Sequence, residues 1–190
     1  MQKAMPRIEI VKRDDKEDKL SCFVRDNVDM ASCGRITVLA RSLESPVIRA
    51  LSKVLTSTSA SDLELHIILI HTAGLEAADG LFGSHATTYR WARQPRLADA
   101  HEQLVFGNAN WIGDCMRRDP SKRDAYECYA PDCKQSARWA TMAFERLWTH
   151  AEPMTGVSAQ VISATASPDG AAIAAAIPSG DPAPLASTRH

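Results

Sequence analysis

The chain has 190 residues, with 22 Lys and Arg against 23 Asp and Glu and a formal net charge of −1. That balance excludes a nucleic-acid binder working through bulk positive charge, and no stretch approaches the ~20 apolar residues of a membrane span. Hydrophobic content of 45% with four Trp allows one buried core, and the length fits one domain with extensions.

The first residues, Met1-Gln2-Lys3-Ala4-Met5-Pro6, run into charge instead of an apolar secretion signal, so the expected location is cytoplasmic. Residues 1–30 read as a charged, flexible arm because Lys12 to Lys19 are all charged. Leu20, Cys22, Phe23, Val24 and Val28 offer a short segment that can pack. The folded unit is expected over 31–150, and a disordered Ala/Pro-rich tail over 151–190.

Within the unit, Ile36 to Ala40 is a β-branched run suited to a buried strand. Ser45 and Pro46 are an N-cap and first-position pair opening a helix, with Val47, Ile48, Leu51, Val54 and Leu55 on one face. Leu63 to Ile70 is apolar at nearly every position, as a central strand requires. The strand–helix–strand order implies a parallel pair.

Residues 72–85 read as a Gly-containing loop. Three strands follow, over Thr87 to Arg93, His101 to Phe106 and Trp111 to Cys115, the last two joined by turn residues Gly107 to Asn110. Ala125 to Tyr129 is a further short strand. From Pro131-Asp132 a helix runs with Ala137, Ala140, Phe144, Leu147 and Trp148 at helical spacing. The fold class is thus α/β, a mixed sheet flanked by helices. All four Trp are expected as core anchors.

The five cysteines contain no Cys-x-x-Cys pair, and Cys128, Cys133 and His150 are loosely spaced, so reduced thiols are expected, with no metal site and no cofactor. His66 and His71, five apart, point to opposite faces of their strand, which disfavours shared metal binding.

Chemistry concentrates at His101. On a strand His101, Gln103 and Val105 share one face, and the hairpin returns through Trp111-Ile112-Gly113-Asp114, which brings Asp114 near the imidazole as an orienting carboxylate. Arg117, Arg118, Lys122 and Arg123 on the next loop are candidate phosphate ligands, although Asp119 interrupts them and Asp124 follows them, which favours a self-paired surface loop.

The run His101-Glu102-Gln103-Leu104-Val105-Phe106-Gly107-Asn108, followed by Gly113-Asp114, resembles the phospholipase D signature His-x-Lys-(x)4-Asp with its later Gly-Ser. Phe144-Glu145-Arg146-Leu147-Trp148 is similar to the Phe-x-x-x-Trp that closes such a half-domain. The resemblance implies one phospholipase D half-domain, a His101 nucleophile, and a homodimer that places His101 near a two-fold axis. It also implies a cleft at the strand ends, lined by His71 or His85. Gln103 stands for the family Lys, Asn108 for the Asp and Asp114 for the Ser, so only His101 keeps its type.

Losing that Lys removes a charge-assisted donor, and one preorganised donor is worth roughly 10²–10³ in rate. The function expected is a catalytically weak or inactive binding module for a phosphorylated ligand, nucleic acid or protein. The alternatives are a diverged phosphodiesterase or nuclease using His101, and a small protein-interaction platform.

Overall fold

In the computed structural model the chain is described over residues 5–28, 34–57, 63–75 and 78–154. The expected tail falls almost wholly outside these residues.

The elements in chain order are β1 (Arg7–Val11), α1 (Lys16–Val28), β2 (Arg35–Ala40), α2 (Pro46–Leu55), β3 (Glu64–Leu69), β4 (Ala86–Trp91), β5 (His101–Phe106), β6 (Ala109–Cys115), β7 (Ala125–Ala130), α3 (Lys134–His150) and β8 (Glu152–Pro153). They build one mixed eight-stranded sheet in the order β1-β7-β6-β5-β2-β3-β4-β8. β2, β3 and β4 are parallel, as the strand–helix–strand reading required, and β5, β6, β7 and β1 continue antiparallel.

The period-2 alternation of each strand sends its apolar residues to two separate cores. Ile36, Val38, Leu65, Ile67, Leu104, Phe106 and Trp111 face α1 and α2. Leu39 and Ile68 meet Phe144 of α3 on the other side, where Val105 also packs against Ala137 and Ala140. Strands buried on both faces must be apolar throughout, which is why β2 and β3 read so strongly in the sequence. β5 and β6 turn through Gly107, whose φ of 56° suits a residue without Cβ.

The charged arm expected over 1–30 is corrected at residues 7–28. β1 pairs with β7, and α1 sets Leu20, Phe23, Val24 and Val28 into the core at helical spacing. The charged run lies around the start of α1, where Glu17 and Asp18 complement the helix N-terminus. Lys19 pairs with Glu9 of β1 at 2.6 Å.

Lys16 is the unexpected member of that run. It is buried, with Nζ 3.3 Å from Glu127 Oε1, an ionic contact without hydrogen-bond alignment. Glu127 Oε2 accepts from Trp111 Nε1 at 3.0 Å and from the Tyr129 hydroxyl at 2.7 Å. The contact therefore joins α1 to β7 inside the core.

Of the Trp residues, Trp111 is a buried anchor, whereas Trp139 is exposed on α3, against expectation. Its position is a third of a turn off the Ala137–Ala140–Phe144 stripe, so the helix turns it to solvent. His66 is half-buried and stacks on Trp148, with ring centroids 4.6 Å apart, and burial lowers its pKa.

Breaking a buried charge pair leaves the survivor uncompensated, at a cost of about 3–5 kcal/mol. Lys16→Met is expected to lower unfolding free energy by about 3 kcal/mol in urea titration. A loss below about 1 kcal/mol would show that Trp111 and Tyr129 satisfy Glu127 on their own.

Candidate functional site

Parallel β2 and β3 end at Ala40 and Leu69, and antiparallel β5 begins at His101, so all three meet at one end of the sheet. Ligands of open α/β sheets gather at such carboxyl ends, next to a change in strand direction. There lies a cleft of about 380 Å³ lined by Arg41, Ser42, Ser45, Arg49, His71, Asp119 and Ser121, among others. His71 thus lines a strand-end cleft, as the resemblance implied.

His101 is exposed at the first position of β5, and its Nδ1 lies 2.9 Å from the Gly113 carbonyl oxygen. As a donor to that carbonyl, Nδ1 carries the proton in the neutral ring and leaves Nε2 as the free lone pair. Gly113 has no room for a side chain, since a Cβ there would stand 2.6 Å from the Trp111 ring. Trp111 thereby fixes the strand that carries the His101 partner.

Asp114 does not reach the imidazole. Its carboxylate accepts from the Cys115 N–H at 2.8 Å and lies 3.6 Å from both Arg118 Nη1 and Arg123 Nε. The orienting group expected from Asp114 is supplied by the Gly113 carbonyl, because the register shifts between His101 and Gln103.

Gln103 is buried and donates from Nε2 to the Ala140 carbonyl of α3 at 3.2 Å. It fastens the helix to the sheet. Asn108 sits in the hairpin turn, roughly 20 Å along the strand from His101, and its carbonyl accepts from the Cys133 N–H at 3.0 Å. The structure therefore does not gather His101, Gln103, Asn108 and Asp114 into one constellation.

The basic loop does come to the His101 end. Arg117 forks onto Asp99, holding that carboxyl below the usual carboxylate range. Lys122 lies 3.3 Å and Arg41 3.6 Å from Asp119. Ser121 caps Asp119 with hydroxyl and N–H and lowers its pKa. Each cation has a carboxylate partner at the surface.

Glu102, unmarked in the sequence reading, points to the α1/α2 side of β5 and is buried beneath this end. It accepts from the Arg41 N–H at 3.1 Å and from the Ser45 hydroxyl. Ser45, expected as an N-cap, makes no capping bond to α2; its hydroxyl instead holds Glu102 and the Ser42 N–H. Burial pushes the Glu102 carboxyl up to about 7. Arg41 went unmarked in the sequence, and its place one residue beyond β2 was the signal that would have set it in this cleft beside His71.

Neither a family model nor a curated protein sequence matches the chain. Among solved structures, the phospholipase D family member Nuc from Salmonella typhimurium is similar over 80% of this chain and 100% of its own, at 12% identity and a TM-score of 0.56. NucT from Helicobacter pylori is similar over 79% and 100%, at 6% identity and a TM-score of 0.51. The archaeal chromatin protein TrmBL2, described with a novel mode of DNA binding, is similar over 78% of this chain but 54% of its own, so the chain spans about half of it; identity is 11% and the TM-score 0.50. The likeness is one of fold: the chain has a phospholipase D-like α/β fold, with a mixed sheet flanked, among the described residues, by three α-helices. No described helix is long and apolar enough to cross a membrane.

The folded chain keeps the Glu102 proton above the ordinary value of 4.5, up to about 7, while the unfolded chain releases it, so stability is lost as pH rises through that window. Glu102→Gln is expected to gain on the wild type by about 3 kcal/mol between pH 4 and pH 8 in urea titrations. A difference that does not change with pH would count against a protonated buried acid.

Proposed function

We propose that this chain is a phospholipase D-like binding module whose ligand is the phosphate backbone of nucleic acid, held at the His101 end without efficient hydrolysis. The observation that carries this reading is Gln103. Where the resembled motif has a lysine, the side chain is neutral, buried and committed to Ala140. A pentavalent phosphoryl centre at His101 would therefore lack its neighbouring positive charge.

Binding needs less. Arg118 and Arg123 share Asp114, and Lys122 and Arg41 share Asp119, in pairs open to solvent on the basic side. Exposed ion pairs contribute about 0–1 kcal/mol, so a phosphate can replace a carboxylate partner at small cost. Arginine suits this exchange because its fork matches two phosphate oxygens. The DNA-binding neighbour TrmBL2 is consistent with a nucleic-acid ligand.

A second reading, a diverged phosphodiesterase, has one observation in its favour. The Gly113 carbonyl sets the tautomer that frees Nε2 of His101 for attack. It requires a second copy of the chain to bring a second His, the homodimer with His101 near the two-fold axis. Light scattering on the eluted chain that shows only monomer at micromolar concentration would remove it.

The test pairs binding with turnover on the full chain. An Arg118→Ala/Arg123→Ala variant is expected to bind a fluorescein-labelled oligonucleotide about tenfold more weakly, with a salt slope shallower by about 2. Unchanged anisotropy curves would sink the binding reading. Bis-p-nitrophenyl phosphate hydrolysis is expected to be the same for wild type and His101→Ala, with and without divalent metal. Turnover that vanishes in His101→Ala would establish the second reading.

A further inference from the structure

β1 is the last strand at one edge of the sheet, and among the described residues no strand lies beyond it. Its outer row of backbone N–H and C=O groups is therefore open, whereas the opposite edge ends in β8, two residues long. Natural sheets blunt an open edge with short strands or charge, because it templates pairing with another chain. β1 carries charge on one face alone.

Alternation along β1 sends Val11 to the α1/α2 core and turns Ile8 and Ile10 to the opposite face. On that face α3 packs against β2, β5 and β6, and the β1–β7 end stays open. Ile8 is 72% exposed, Ile10 59%, and Tyr126, the register partner of Ile10 on β7, 70%. With Met5 they are four of the six large apolar side chains exposed among the described residues, so this surface is gathered at one edge instead of scattered. The other face of β1 carries Arg7 and Glu9. Lys19 holds Oε2 of Glu9 at 2.6 Å, and Arg7 has no side-chain partner among the described residues.

We propose that a second copy of this chain pairs β1 to β1 across a two-fold axis through Ile8, joining two eight-stranded sheets into one. Antiparallel pairing centred on Ile8 sets Arg7 of each copy against Glu9 of the other, and opposite charges across strands stabilise a pair. Ile8 meets Ile8, and Ile10 meets Pro6. A two-fold axis normal to the sheet keeps the two α3-side faces together, so Ile8, Ile10 and Tyr126 of both copies form one apolar strip. Centring on Glu9 would instead oppose Glu9 to Glu9, and like charges directly opposite destabilise a pair. The charge pattern thus selects the second copy as occupant and fixes its register. The seam is five residues long, which places it among small interfaces that dissociate on dilution. β7 and β6 lie between β1 and β5, so this pairing keeps the two His101 roughly 30 Å apart. It is separate from a dimer that joins the His101 ends.

The test is light scattering of the full chain from micromolar to sub-millimolar concentration, where the average mass is expected to rise from one chain towards two. Ile8→Lys, at a position already open to solvent, is expected to keep the thermal midpoint and weaken association at least tenfold. Arg7→Glu alone and Glu9→Lys alone each oppose like charges across the axis and are expected to be monomers. Mixed in equal amounts they are expected to regain a dimer of one each, since every cross-strand pair is then opposite in sign. Wild-type chain that stays monomeric throughout the range overturns the proposal; protection of its β1 amides from hydrogen exchange would then assign the edge to another segment of the same chain. A dimer that persists in all three variants, or a mixture that stays monomeric, also overturns it.

Discussion

The hydrogen bond from Gln103 to the Ala140 carbonyl joins the middle of β5 to the middle of α3, and it follows from β5 lying between two helical layers. Such a strand commits every side chain to one core or the other. Leu104 and Phe106 go to the α1/α2 core, Val105 to α3, and the polar pair Glu102 and Gln103 must find partners within the protein. His101, at the strand's first position, is the exposed side chain of β5. The chemistry available at this end is set by that burial: a neutral amide in place of a cation, and a carboxyl raised by desolvation.

Charge elsewhere follows the same division between core and surface. In the core, Lys16 and Glu127 are retained with Trp111 and Tyr129 as partners. The arrangement positions α1 against β7 and also holds the indole that covers Gly113. Packing on one side of the sheet thus determines which carbonyl meets His101 on its edge. Near the surface, Arg41, Arg117, Arg118, Lys122 and Arg123 all pair with carboxylates. The proposed binding of phosphate would use these paired cations, in a chain with no net positive charge.

The two ends of the sheet differ in kind. Strand carboxyl ends bring Arg41 and His71 to one cleft beside Asp119, with His101 at the start of β5 at the same end. Strand starts bring Arg35, Glu64 and Glu145 around a cleft that Thr37 and Val105 also line. Parallel β2 and β3 make this separation, because equal register places residues that begin both strands at one end and those that follow both at the other.

The sequence by itself determined the elements that are apolar by pattern. β2, β3, β5, α2 and α3 were legible because their burial repeats with period 2 or 3.6, and a dense charged run hid α1 because its single buried lysine looks like its neighbours. The spacing from His101 to Asn108 carried the phospholipase D-like fold, since a strand and its turn keep their length whatever side chains they bear. Only the tertiary structure decided the site. The register shift in β5 handed the imidazole to Gly113 instead of Asp114, and α3 claimed Gln103. Those outcomes depend on which atoms meet across hydrogen-bonded strands and packed layers, a relation between residues far apart in the chain that no local pattern encodes.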